Sequence, residues 1–570
     1  MTPRAIGRAL VLAVVLGGCT ATNAPGTSGL GSTPTTAHST PLVSVDGGTA
    51  TVAVDAVPTT LNDHTVAGAT AATQAVCSLV WGQVFQVGPG TMPTLDTDVV
   101  ESAEVVSVNP QTVVYQINPK ATWSDGTPIG AQDFVYAWLS QDGSGKDVDG
   151  GTNSVASNAG YEDISSVVGS SDGKTVTVVF QTPYSDWASL FDDLLPAHVA
   201  EKVGWNHGFD HFDPATLVSA GPWMVSAWTA GQRMVLARNP HWWGTEPHLD
   251  QLVLQAMAGA PAVADALRAG QIQVAAPASF GPTFEAAISS APAVESTVQL
   301  GTTMLALDFN VRDAPYDNQS VRQGIAHLID RATLVTRLVQ PTDPQAWEDN
   351  DHLFANIEPW YADDAAGHTQ PDPQTGSQDL AAGGVVANAE GTWTWHGSPL
   401  VLDLAWASDD PWSAAVGPAL AAQLTSRGFD VTVDPTSSAN LEGSVLPAGA
   451  FNLAVVPVAT GAYPTLLAAA FGSPPDLSRG AVNNWTGFDD PRIDALFTQA
   501  SQQLGAAQDR QLYQQVDGAL WTAMPSLPLF AEPAVMAWSA SLSGLRADPG
   551  GLGPLWSVAK WAYLMPSASK

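Results

Sequence analysis

The chain has 570 residues, 45% hydrophobic and 13% charged, and its 54 Asp and Glu outweigh 20 Lys and Arg to leave a formal charge of −34. That acidity excludes the neutralisation of phosphates on which nucleic-acid binding depends, and it excludes a polybasic membrane patch. The hydrophobic fraction excludes an acidic disordered chain, and the length accommodates about three or four domains.

At the N-terminus, Arg4 and Arg8 accompany an apolar run over residues 9–16. The run is shorter than the ~20 residues that span a bilayer and reads as the core of an export signal, residues 1–18. Leu16-Gly17-Gly18-Cys19 resembles the bacterial lipobox. Cys19 is therefore the expected lipidation site, with the protein anchored on the extracytoplasmic face of the cell membrane. Residues 19–46 are mainly Thr, Ser, Gly, Pro and Ala and form the expected tether, with a reach on the order of 30 Å. Cys77 then has no intramolecular partner, and its apolar setting over residues 75–80 predicts a buried, inert thiol. No later segment offers 18 consecutive apolar residues.

The ordered body begins at residues 49–57, which alternate as a half-buried strand does. A helix is expected over 71–85, a strand over 112–117, and a turn at 124–128 that leads into a helix with Asp133 in its first turn. Ser170-Ser-Asp-Gly-Lys174 separates two β-rich runs as a hairpin does. Strands follow at 234–237 and 252–257, then an Ala-rich helix over 262–269 stopped by Gly270. The strongest helical stripe runs from Ser320, as N-cap, to about Leu338, with His327 off the stripe and exposed. Residues 341–399 are the least regular stretch. Residues 401–406, 414–426 and 429–433 read as strand, helix and parallel strand, with Gly428 closing the helix. Two helices finish the pattern, the first capped by Asp490-Pro491 and the second striped by Leu512, Val516, Ala519, Leu520 and Ala523.

Motifs of covalent chemistry are missing. Residues 169–175 imitate a phosphate loop but have one residue too few between the glycines and sit in a hairpin. His198, His207 and His211 with Asp210 and Asp213 form the one histidine cluster, and Gly208 and Pro214 favour surface loops over a metal-holding helix face. No HExxH, CxxC or EF-hand pattern occurs. A binding protein without cofactor or metal is expected, not an enzyme.

Four blocks in order carry a resemblance. They are residues 115–136 (YQINPKATWSDGTPIGAQDFVY), Ala220-Gly-Pro-Trp223 with 237–244 (ARNPHWWG), Leu307-Asp-Phe-Asn310 with 321–331 (VRQGIAHLIDR), and 484–494 (NWTGFDDPRID) with 524–529 (MPSLPL). Together they resemble the family 5 extracytoplasmic solute-binding proteins of ABC importers. The resemblance implies an α/β fold, a three-domain clamshell of the large type II periplasmic-binding-protein kind. Lobe I would be discontinuous (47–91, 214–308 and 525–570), lobe II would span 92–213 and lobe III 309–524. It also implies a ligand cleft between lobes I and III, hinge crossings near residues 309 and 525, and a monomer that serves an ABC permease. Trp81, Trp223 and Trp485 fall in blocks that face the cleft in this family, and Gln83, Asn310 and Tyr463 are the expected polar neighbours of the ligand. Peptide-binding members commonly carry an aspartate for the peptide ammonium where this chain has Ala459-Thr-Gly-Ala-Tyr-Pro-Thr465. A buried ammonium without a counter-charge is costly, which argues against a zwitterionic peptide. Residues 459–475 are similar instead to an actinobacterial envelope branch typified by LpqW. A glycan or glycolipid is then the competing ligand class, and an envelope scaffold acting by protein contact is the alternative function.

Overall fold

Ten strands of alternating or wholly apolar character assemble into one mixed sheet. Its order is Asp430–Thr436, Val401–Ala407, Leu453–Ala459, Val294–Phe309, Ser526–Ser539, Val274–Ala275, Thr49–Val54, Gln251–Ala256, Arg233–Arg238 and Trp223–Thr229. The computed structural model describes residues 42–567 apart from 89–90, 276–280, 366, 474–483, 549 and 551–552. Val43–Met565 form one compact unit, and a second unit groups Met1–Leu42 with Pro566–Lys570. Of that second unit only residues 42, 566 and 567 are described, so Cys19 and most of the tether lie outside the described residues. The fold is α/β.

The two longest strands, Val294–Phe309 and Ser526–Ser539, pair antiparallel at the middle of the sheet, from Val294 opposite Ser539 to Asp308 opposite Ser526. On one side of them the strands come from residues 401–459, and on the other from 49–54 and 223–275. A separate antiparallel sheet contains Val100–Val108, Gln111–Ile117, Thr175–Phe180 and Ile164–Gly169 in that order. Its apolar face joins the core built around Trp81, Trp123, Trp205, Trp223 and Trp561.

Local chemistry accounts for the element ends. Asp133 caps the helix Ala131–Gln141 by accepting from the Gly130 amide at 2.9 Å. The expected βαβ unit forms as read, with Val401–Ala407 and Asp430–Thr436 parallel. Gly428 follows the intervening helix Pro411–Ser426 at φ +92°, a conformation that a side chain at this position would disfavour. Asp490 accepts from the Arg492 amide to start Pro491–Ser501.

Three expectations are corrected. The helix expected over 71–85 ends at Val80, because Trp81 turns to extended backbone and Phe85–Val87 form a strand. The helix expected from Ser320 to Leu338 is capped by Asn318 and breaks after Leu328. There Ile329 is extended and the Asp330 carboxylate accepts from the Thr333 amide to begin a new turn, Arg331–Leu334. His327 is buried, not exposed, and its ring stacks on His368 with centroids 4.2 Å apart. The irregular stretch after residue 341 is a packed knot around Arg331. That guanidinium donates to the carbonyls of Asp349, Pro528 and His368 and to Asn350 Oδ1. Cys77 is fully buried with its thiol directed at the Leu61 carbonyl, and burial pushes the thiol well up from its ordinary pKa.

Candidate functional site

A cavity of about 1340 Å³ lies over the two long strands. Residues 301–303, Asp308 and residues 532–536 supply its floor. One wall is made of residues 54–59 and of 70–76, where Thr70 caps the helix Ala71–Val80. The opposite wall is the end of strand Leu453–Ala459 and the following loop to Tyr463, together with Leu441, Leu446, Phe471 and Trp485. These walls come from opposite sides of the long strand pair, so the cavity spans the middle of the sheet.

Two of the six expected ligand contacts line this cavity, Tyr463 and Trp485. Both residues are half-buried. The Tyr463 hydroxyl donates to the Ala188 carbonyl at 3.0 Å, and burial pushes its pKa up. The Trp485 carbonyl receives Arg312 Nη2 at 3.0 Å, which fixes the loop that carries the indole. The other four are not in the cavity lining. Trp81 is in the core, its indole N–H bonded to the Leu61 carbonyl at 2.8 Å and its ring set edge-on to Phe209 and Trp123. Gln83 is buried beside Asp193, with Nε2 3.4 Å from its carboxylate. Trp223 is fully buried at the start of strand Trp223–Thr229. Asn310 donates to the carbonyls of Gly449 and Phe451 at 3.0 Å and to Asp313. In these blocks the side chains hold the fold together, which is what an ordered core and a crossover loop require.

The Tyr463 loop is tied to a distant segment. Asp186 Oδ2 accepts from the Thr465 amide at 2.9 Å and from its hydroxyl at 2.8 Å, and the Tyr184 and Thr465 hydroxyls are 2.9 Å apart. The Ser185 amide donates to the Ser501 carbonyl at 2.7 Å. Burial pushes the Asp186 carboxyl up to about 6.

The cavity also holds carboxylates that the sequence reading missed. Residues 459–465 carry none, as the sequence shows, but Asp308, Asp410 and Glu532 line the cavity from other elements. The expectation against a zwitterionic peptide rested on residues 459–465 alone, and these carboxyls add acidic groups to the cleft from other elements. Burial pushes Asp308 up to about 7, and burial with Asp410 nearby pushes Glu532 well up. Asp410 caps Pro411–Ser426 by accepting from the Ser413 amide at 2.6 Å. A usable signal was in the sequence: Asp308 interrupts the apolar run Met304-Leu-Ala-Leu307 before Phe309, where a lone buried charge needs a reason.

The histidine cluster resolves into separate pairs, His198 with Asp125 and His207 with Asp210, each at 2.8 Å. Among the described residues no group of three or more His, Cys, Asp or Glu is placed to hold a metal ion, and no helix is long and apolar enough to cross a membrane.

The profile of the family described as bacterial extracellular solute-binding proteins, family 5 Middle, matches residues 94–485. The oligopeptide-binding protein OppA of Mycobacterium tuberculosis (strain ATCC 25618 / H37Rv) is 29% identical, with 94% of this chain and 90% of OppA covered. The protein of the same strain described as a probable monoacyl phosphatidylinositol tetramannoside-binding protein, LpqW, is 28% identical over 75% of this chain and 70% of its own. Among solved structures, the periplasmic EDTA-binding protein EppA is similar with a TM-score of 0.83 and 24% identity, covering 94% of this chain and 99% of EppA. The oligopeptide-binding protein AppA from Bacillus subtilis, in complex with a nonapeptide, gives a TM-score of 0.74 at 18% identity, covering 91% of this chain and 100% of AppA.

Proposed function

Because the chain belongs to the bacterial extracellular solute-binding proteins of family 5, we propose that it captures a peptide in the cavity over its two long strands and passes it to an ABC permease. Capture is by hinge closure, and the protein works as a monomer tethered to the membrane through lipidated Cys19. The lobes are those drawn from the sequence, with 47–91, 214–308 and 525–570 facing 309–524, and with 92–213 as the third.

The observation that carries this reading is the placement of the cavity. Its walls come from opposite sides of the strand pair Val294–Phe309 and Ser526–Ser539, so bending those two strands changes the gap between the walls. At about 1340 Å³ the cavity exceeds the ~300–1,000 Å³ usual for a single small molecule, which suits an oligomeric solute. Tyr463 and Trp485 offer flat, partly apolar faces to it. Peptide is preferred over glycolipid because the likeness to OppA runs over 94% of the chain and because carboxylates in the lining can receive an ammonium. Glycolipid is the second reading, supported by the likeness to LpqW.

The test is native mass spectrometry of the full chain, released from detergent micelles after exposure to a mixture of short peptides and to an envelope lipid extract. Retention of a peptide at one per chain is the expected result. Retention of lipid alone moves the assignment to glycolipid, and retention of nothing overturns capture.

A further inference from the structure

Six carboxyl side chains line the cavity, Asp55, Asp308, Asp410, Glu442, Glu532 and Asp548, and among the described residues no Lys, Arg or His joins them. On an acidic protein such a bias is expected at the surface, where water solvates each charge. Asp308 is in a different position. Only 6% of it is exposed, and it stands in a strand between the buried residues Leu307 and Phe309. Burial alone acts on its carboxyl, with no hydrogen-bond donor from the described residues. Several buried carboxylates elsewhere are provided with donors, although Asp509, outside the cavity, has none among the described residues. Asp133 receives the amides of Gly130 and Ala197, Asp192 those of Val84 and Phe85, and Asp351 those of Leu353 and Ala362. A buried carboxyl without donors is costly to keep, and this one faces the cavity. Glu532, a half-buried residue, also lines the cavity and has its Oε1 buried and unpartnered.

We propose that Asp308 receives a cationic group of the captured solute, an ammonium or a guanidinium, and that Glu532 with Asp410 forms a second anionic point on the same floor. The proposal rests on the cavity being the solute site. Asp308 lies opposite Ser526, whereas Glu532 follows Ala531, which lies opposite Met304. Four residues of strand at about 3.3–3.4 Å each set the two points roughly 13 Å apart or more. The floor thus favours an extended solute with more than one positive charge, and it disfavours anionic solutes. Two sources carry that chemistry, a peptide with basic residues and a linear polyamine.

Isothermal titration of the full chain in detergent micelles tests this with four probes: Ala-Lys-Ala, N-acetyl-Ala-Lys-Ala, N-acetyl-Ala-Gln-Ala and spermidine. A charge-assisted contact implies that the best cationic probe binds at least about tenfold more tightly than the uncharged-side-chain control. In Asp308→Asn that preference should shrink to within about threefold, and Glu532→Gln should reduce it by a smaller factor. Tight spermidine with weak Ala-Lys-Ala assigns the source as a polyamine, and the converse assigns a basic peptide. If N-acetyl-Ala-Gln-Ala binds as well as every cationic probe, or if both variants keep the full preference, the anionic subsite is wrong while the cavity stands as the solute site. If none of the four binds the wild-type protein, the peptide-capture reading falls and this inference falls with it.

Discussion

Replacing Arg331 with Met should loosen residues 349–368 selectively. The guanidinium is 3% exposed, makes four hydrogen bonds, and lies 5.5 Å over the Trp521 ring. Met fills much of the volume but leaves four neutral acceptors unmet, at about 1 kcal/mol or more each. Part of that loss is offset because the variant no longer buries a charge, a burden visible in the guanidinium's fall to about 10. The net cost is about 3–4 kcal/mol, within the range found when a buried charge arrangement is broken. At about 1.4 kcal/mol per decade this is about 10²–10³ in the local opening equilibrium. Native-state hydrogen exchange reads it directly: the amides of Asp349, Ala355 and Asn356, which bond to Leu529, Glu358 and Asp349 respectively, should lose that much protection. The hairpin Ile164–Gly169 with Thr175–Phe180 serves as control and should not change. A loss under about fivefold at 349–368 would refute the assignment of Arg331 as the organiser of this segment.

Further outcomes follow from the same geometry. Thr465→Val removes the hydroxyl shared by Asp186 and Tyr184, and a double-mutant cycle with Asp186→Asn should give a coupling of about 1–2 kcal/mol; a coupling near zero would show that the loop is not held there. Asp308 and Glu358 are pushed up to about 7 and Asp548 to about 6, all chiefly by burial. Unfolding lets these groups ionise near their ordinary values, so their contribution to stability is full below about pH 4 and is lost as pH rises through their folded values. The melting temperature of the ligand-free protein should therefore rise from about pH 7.5 to about pH 5.5, and a steady fall over that range would contradict the burial of these carboxyls. Cys19→Ala should move the protein from the membrane to the soluble fraction, and retention in the membrane would exclude the lipid anchor.

Local signals read well wherever one short stretch decides the outcome. The pair Val401–Ala407 and Asp430–Thr436, the hairpin at 170–174 and the Asp490 cap each depend on residues within one turn or one alternating run. The sequence misleads where a distant partner decides. The apolar stripe continues through residues 321–338, yet Asp330 starts a new turn and Arg331 points inward to acceptors up to 197 residues away. His327 lies off that stripe but is covered by His368 from the irregular segment. The same limit applies to the site. Trp223 and Asn310 stand in recognisable blocks because the fold needs them, whereas the joint placement of Asp308 and Glu532 in one cavity arises only after two strands over 200 residues apart in sequence have paired.

Everything proposed here depends on solute being held in the cavity beside Tyr463 and Trp485. Native mass spectrometry of the wild-type chain and of the double variant Tyr463→Ala/Trp485→Ala, against one common mixture of short peptides, tests that placement. One peptide should be retained per wild-type chain and at least about tenfold less by the variant, given the roughly 1–3 kcal/mol that large buried side chains contribute. Equal retention by the two proteins would place the solute elsewhere and overturn the assignment of this cavity.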